Sequence, residues 1–278
     1  MKKTFSSKKS AFSLIELSIV LIIIGLLIAG VTGGASLIKS SELRAAISEA
    51  RGWSTAVNGF YNQFNAFPGD YINPLGGQNG GVGNGNSQIN AYTVLANPGG
   101  DASAAANCVT AGVAGSVTGT FRGCMYEDNV AWHQLRSAGV LDTNTVSDPS
   151  TGPFNATTTW SVADNATFGT TNPGSKIKSS GWVFDYNTTS LQNVVILTGA
   201  ITTAPATVSA YADGTRTTGA IAPADALSID TKVDDGVANT GRVQAVEPSG
   251  NTCFTTTRYD TGTTTKTCAL AYQVDLNS

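Results

Sequence analysis

Residues 12–38 read Phe12-Ser-Leu-Ile-Glu16-Leu-Ser-Ile-Val20-Leu-Ile-Ile-Ile-Gly25-Leu-Leu-Ile-Ala-Gly30-Val-Thr-Gly33-Gly34-Ala35-Ser-Leu-Ile38, an apolar run whose only charged residue is Glu16. As a helix rising about 1.5 Å per residue it would extend roughly 40 Å, more than the ~30 Å hydrocarbon core of a bilayer. The preceding stretch, MKKTFSSKKSA, holds four Lys and no acid. Basic residues before the run and few after it hold the N-terminus on the cytoplasmic side, so everything beyond Ile38 is exported in a single pass.

A plain membrane anchor has no use for Glu16, because a carboxylate inside a membrane helix costs roughly 3 kcal/mol on insertion scales. A secretory signal peptide is the other ordinary reading. Gly33 and Ala35 loosely satisfy the small-residue rule for signal peptidase, which would leave a mature chain beginning at Ser36. That reading also leaves Glu16 without purpose.

The stretch Ser10-Ala11-Phe12-Ser13-Leu14-Ile15-Glu16-Leu17 resembles the processing site of type IV prepilins and type II secretion pseudopilins. The resemblance implies a short basic leader, residues 1–11, cut between Ala11 and Phe12 by a prepilin peptidase that then methylates the new amine of Phe12. Glu16 becomes the fifth residue of the mature chain, the position of the family's hallmark glutamate. One departure is Ala11, where the family usually has Gly; a small residue still fits.

Cleavage lowers the basic count from 16 to 12 against 19 acids, and it creates an amine four residues from Glu16. In a bundle of such helices the carboxylate of Glu16 needs a cation, and a neighbouring subunit's Phe12 amine supplies it, fixing axial register. Gly25, Gly30 and Gly34 lie in the same segment; Gly30 and Gly34 form a small-xxx-small pair that permits close helix approach. The expected partners are other pilin subunits in a homo- or hetero-oligomeric filament, the prepilin peptidase/methyltransferase, and inner-membrane lipid before assembly.

From Lys39 the apolar positions take helical spacing: Leu43, Ile47, Ala50, Trp53, Val57, Phe60 and Phe64. Residues 39–66 are expected to continue the membrane helix as an amphipathic half, its stripe buried against a sheet. Asn65-Ala66-Phe67-Pro68-Gly69-Asp70-Tyr71 is expected to end the helix, with Pro68-Gly69 as the stop, and a similar Phe-Pro-Gly-Asp turn recurs in some prepilin-like chains. Residues 67–278 then form an exported α+β head, with a Gly/Asn-rich insertion at about 76–120. Glu127–Leu141 reads as a short helix with Trp132, Leu135 and Val140 inward and a structural His133. Gly181–Tyr186 and Leu191–Thr198 read as a hairpin through Asn187–Ser190. Arg242–Glu247 reads as a strand, and Pro223–Asp230 as a short helix with Pro in its first turn. Thr255–Thr257 and Thr263–Thr265 suit exposed strands and turns. The fold expected is α+β: one long N-terminal helix packed on an antiparallel sheet.

Enzyme readings are weak. One His removes most chemistry that needs imidazoles, and no glycine pattern fits a phosphate loop or dinucleotide fingerprint. A net charge of −3 argues against nucleic acid as a partner. No catalytic residue is expected.

Four Cys allow three connectivities; Cys108–Cys124 with Cys253–Cys268 is the simplest pairing, and export favours oxidation. The resemblance supports the second bridge, since type IV pilins often staple a C-terminal loop with a disulfide. It also raises calcium at Asp230, Asp234 and Asp235, because some pseudopilins bind calcium in the C-terminal region; the alternative is an exposed acidic turn after the helix. The function expected is a structural subunit of a type IV pilus-like filament, with a type II secretion pseudopilin or a tip adhesin as alternatives. Exposed Trp160 or Trp182 would favour the adhesin.

Overall fold

The computed structural model describes residues 13–72, 85–89, 127–142, 168–169, 172–200, 217–248 and 250–274. Among them the elements run α1 (Leu14–Phe64), α2 (Glu127–Ser137), β1 (Ser180–Asn187), β2 (Gln192–Gly199), α3 (Pro223–Val233), β3 (Val243–Val246), β4 (Phe254–Thr255), β5 (Arg258–Tyr259) and β6 (Ala269–Gln273). Packing divides the chain into two units, with the boundary between Glu42 and Leu43.

In the first unit α1 is apolar and exposed on all sides, from Leu14 at 87% to Leu37 at 74%. It is long and apolar enough to cross a membrane. A helix apolar all round has no use for water on any face.

In the second unit α1 becomes amphipathic, as its spacing predicts. Leu43, Ala46, Ala50, Ala56, Val57 and Phe60 are buried, with Ile47, Trp53 and Phe64 packed against the same core. The helix ends at Phe64, two residues before the expected limit and ahead of the Pro-Gly pair. Asn65 is the stop: it takes a left-handed φ of 52° and its N–H donates to Tyr61 O at 2.7 Å, the role glycine or asparagine plays after a helix.

The main sheet is antiparallel in the order β1-β2-β6-β3. Both of its faces are buried. Trp182, Phe184, Val195, Leu197, Leu270 and Tyr272 join the core that contains α1. Val183, Val194, Ile196, Val246, Ala269 and Ala271 form a second cluster, with Phe168 against it. The uninterrupted Val194-Val-Ile-Leu197 run is the sequence mark of a strand buried on both sides. The hairpin forms where expected, but β2 starts at Gln192, leaving Leu191 in the turn. β6, a central strand, has no counterpart among the expected elements. α3 runs three residues beyond its expected end, and α2 stops at Ser137, short of Leu141.

Trp132 of α2 packs on Phe184 (centroids 4.1 Å) and edge-on to Trp53 (5.2 Å). His133 beside it is wholly buried, as a structural histidine would be. The sheet's edges are guarded locally, which blocks strand addition there. On β1, Trp182 N–H donates to Pro173 O at 2.9 Å; on β3, Ala245 N–H donates to Ala238 O at 2.6 Å. Gly219 lets the segment leading into β6 come close: a Cβ there would lie 1.8 Å from Lys266 O.

Candidate assembly and processing segment

The start of α1 is a capping box. Ser13 N–H donates to Glu16 Oε2 at 2.9 Å, and the Ser13 hydroxyl accepts from Ile15 N–H at 3.4 Å. The Ser-x-x-Glu pattern of such a box stands in the sequence at Ser13–Glu16, a partner for Glu16 other than the neighbour's amine expected for it. In the single chain the carboxylate satisfies a backbone donor left free at the helix start, where negative charge is favoured. The helix therefore begins at Leu14, and the scissile bond expected between Ala11 and Phe12 lies outside the described residues.

Beyond the cap, Gly25, Gly30, Gly33 and Gly34 have nothing within 4 Å of where a Cβ would stand. Nothing among the described residues packs on that helix face, so close approach by another helix costs no displaced side chain.

The three carboxylates expected near the end of α3 do converge: Asp230, Asp234 and Asp235 offer oxygens within 4.8 Å of one another. Each is already engaged. Asp230 accepts Tyr259 O–H at 2.9 Å and Gly236 N–H at 3.3 Å. Asp234 accepts from the backbone N–H groups of Arg242 and Val243. Asp235 accepts Val237 N–H and Thr240 O–H, each at 2.8 Å. Together they close the turn from α3 into the edge of β3. Asp230 is fully buried, and burial pushes its carboxyl up to about 6, against the pull of Tyr259 and Gly236; the charges of Asp235 and Asp234 add to the rise. Calcium takes about six to eight oxygens, so this set would need several more from water or backbone.

The Phe67–Asp70 turn is a second anchored node. Gly69, at φ 91°, donates its N–H to Gln134 Oε1 at 2.7 Å, and Gln134 Nε2 donates to Tyr71 O at 3.1 Å. Asp70 accepts Asn86 N–H at 2.7 Å and Ser87 N–H at 2.8 Å. Burial raises the Asp70 carboxyl despite these donors.

Cys253 and Cys268 form a disulfide, both sulfurs shielded from solvent. It ties the β4–β5 hairpin to the start of β6. The other expected bridge, Cys108–Cys124, lies outside the described residues, as does Trp160. Trp182 is fully buried and therefore has no face to offer a sugar.

A long apolar helix followed by an antiparallel sheet of four strands is an α+β, pilin-like architecture. Residues 6–32 match the prokaryotic N-terminal methylation motif, so the chain carries the prepilin-type cleavage and methylation segment of type IV pilins and pseudopilins. Comparison with curated proteins and with solved structures gives no match.

Proposed function

We propose that the chain is a structural subunit of a type IV pilus-like filament. The observation that carries this reading is an α1 whose first half is apolar and exposed throughout, opening inside the methylation motif. The subunit sits in the bacterial inner membrane, N-terminus cytoplasmic and head exported, until prepilin peptidase cuts between Ala11 and Phe12 and methylates Phe12. It then leaves the lipid for a filament in the periplasm or outside the cell. Helix packing through residues 12–38, eased by Gly25, Gly30 and Gly34, supplies cohesion. Glu16 pairs with the amine of a neighbour's Phe12 and fixes register, trading its contact with Ser13 N–H for a charged partner.

A type II secretion pseudopilus would use the same N-terminal segment and the same processing. The adhesin alternative loses the support it would have drawn from Trp182, which is buried.

The test is to express the chain with and without a prepilin peptidase and determine its intact mass and N-terminal residue. N-methylated Phe12, formed only with the peptidase, is the expected outcome. A chain starting at Ser36 would mean signal peptidase released a soluble protein, and the subunit reading would fall.

A further inference from the structure

A surface cleft of about 390 Å³ lies in the head between α1, the end of α3 and the β3–β6 side of the sheet. Ile47, Ala50, Val233 and Val243 give it an apolar lining, and Arg51 and Arg242, both exposed, add two cations. No acid stands among its described lining residues. Apolar atoms that face an opening of this size lack the close contacts of a packed interior. Such a site suits an apolar side chain with a carboxylate beside it.

Residues 275–278, Asp275-Leu276-Asn277-Ser278, have that chemistry, and they follow directly on the cleft. Tyr272 and Gln273 of β6 are part of its lining. Gln273 N–H donates to Arg242 O at 2.9 Å, which sets Asp275 two residues from a bond to an arginine of the cleft. Leu270, Tyr272 and Val274 are buried in the core that contains α1, whereas Ala269 and Ala271 belong to the opposite face. Side chains of a strand alternate between faces, so the next position on the α1 side is 276. Three residues span at most about 10 Å, enough for Leu276 to reach a cleft that Gln273 already borders. A segment tethered this closely acts at an effective concentration on the order of millimolar, which a separate molecule has to match in solution.

We propose that residues 275–278 lie over this cleft as an intramolecular strap. Leu276 seats on the floor of Ile47, Ala50, Val233 and Val243, and Asp275 faces Arg51 and Arg242. The strap ties the end of the central strand β6 to α1 and α3 and covers apolar surface that the rest of the head leaves open. It needs no assembled neighbour, so it stands or falls apart from the filament reading.

The test uses the full chain in detergent at high dilution. A Thr55→Cys, Leu276→Cys double variant, oxidised and mapped by peptide mass, is expected to form a bridge between positions 55 and 276 within one chain. A Ser179→Cys, Leu276→Cys pair places its first thiol at the opposite end of the strands and is expected to form none. Leu276→Ser is expected to lower the thermal midpoint by a few degrees and to speed hydrogen exchange at Gln273 and Val274 severalfold. Asp275→Lys is expected to act in the same direction, and adding Arg51→Glu to it is expected to restore part of the loss. A solvated chain end would move none of these readouts. Equal yields from the two cysteine pairs, a bridge found only between chains, or an unchanged midpoint and exchange rate in Leu276→Ser would each overturn the strap.

Discussion

The carboxylate of Glu49 on α1 accepts the indole N–H of Trp182 on β1 at 3.0 Å, across 133 residues of sequence. The same carboxylate takes the Ser175 hydroxyl at 2.8 Å and the Lys176 N–H at 3.0 Å. One acid thus pins the helix to the first strand and to the segment guarding that strand's edge. Because Trp182 is fully buried, removing the acceptor strands its N–H away from water. Glu49→Ala is expected to cost about 2–4 kcal/mol, given that hydrogen bonds to charged groups are each worth about 1.5–3 kcal/mol and are not additive. Urea unfolding followed by tryptophan fluorescence measures it; a loss below about 0.5 kcal/mol would show that the contact is incidental.

The Cys253–Cys268 bridge closes a loop with a sequence separation of 15. A loop of that length is worth about 3 kcal/mol in the chain-entropy account. The double Cys→Ala variant is expected to melt several degrees lower, and to lose protection first at Phe254–Tyr259 in hydrogen exchange. Since both sulfurs are buried, the native protein is expected to resist mild reductant until it opens. Rapid reduction in the folded state, without loss of stability, would contradict this.

Much of this was legible in the sequence because periodicity and local turn chemistry carried it. The stripe from Leu43 to Phe64 has one solution, a helix with one buried face. The run Val194–Leu197 lies in a hairpin strand whose partner is nearby in sequence. The central strand β6 was not legible: Cys268-Ala-Leu-Ala-Tyr272 is a short apolar run weighted to Ala, a poor strand former, after a Thr-rich stretch, and its burial comes from β2 and β3, far away in sequence. The acidic turn was legible as a cluster but not in its use. Spacing shows three carboxylates; only the fold shows that Asp234 holds the β3 edge and that Asp230 meets Tyr259. The Pro-Gly pair was the stronger textual stop, yet Asn65 ends the helix, because one left-handed residue suffices once Tyr61 O needs a donor.

Gln134 is the only side chain shown to bond both Gly69 and Tyr71 among the described residues. It is fully buried, so its amide cannot exchange these partners for water. Gln134→Leu, close in volume, leaves Gly69 N–H and Tyr71 O unpaired and is expected to cost about 2–4 kcal/mol. Gln134→Glu keeps an acceptor for Gly69 but loses the donor for Tyr71, and it is expected to be worse at neutral pH than at pH 4. Thermal melts of both variants at the two pH values decide it. A Gln134→Leu variant as stable as the native chain would mean that the turn is held by Asp70 alone.

Asp230 gives the head a pH dependence of defined sign. Burial raises its carboxyl from 3.8 to about 6 in the folded chain, so the fold holds the proton more tightly than the unfolded chain does. That contribution is fully present below about pH 4 and is lost as pH rises through about 6, a change of at most about 3 kcal/mol. Asp70, raised in the same direction, adds to it. The thermal midpoint is therefore expected to fall between pH 4 and pH 7, and Asp230→Asn is expected to flatten that slope while keeping an acceptor for Tyr259. Calcium at Asp230, Asp234 and Asp235 would act against this trend, since a cation favours the ionised acids. Because the carboxylates already accept protein donors, the midpoint at pH 7 is expected to be the same in millimolar calcium as in EDTA. A calcium-dependent rise of several degrees, abolished by Asp235→Asn, would instead make the turn a cation site. A midpoint that climbs from pH 4 to pH 7 without calcium would mean that Asp230 is ionised and stabilising in the fold, contrary to its burial.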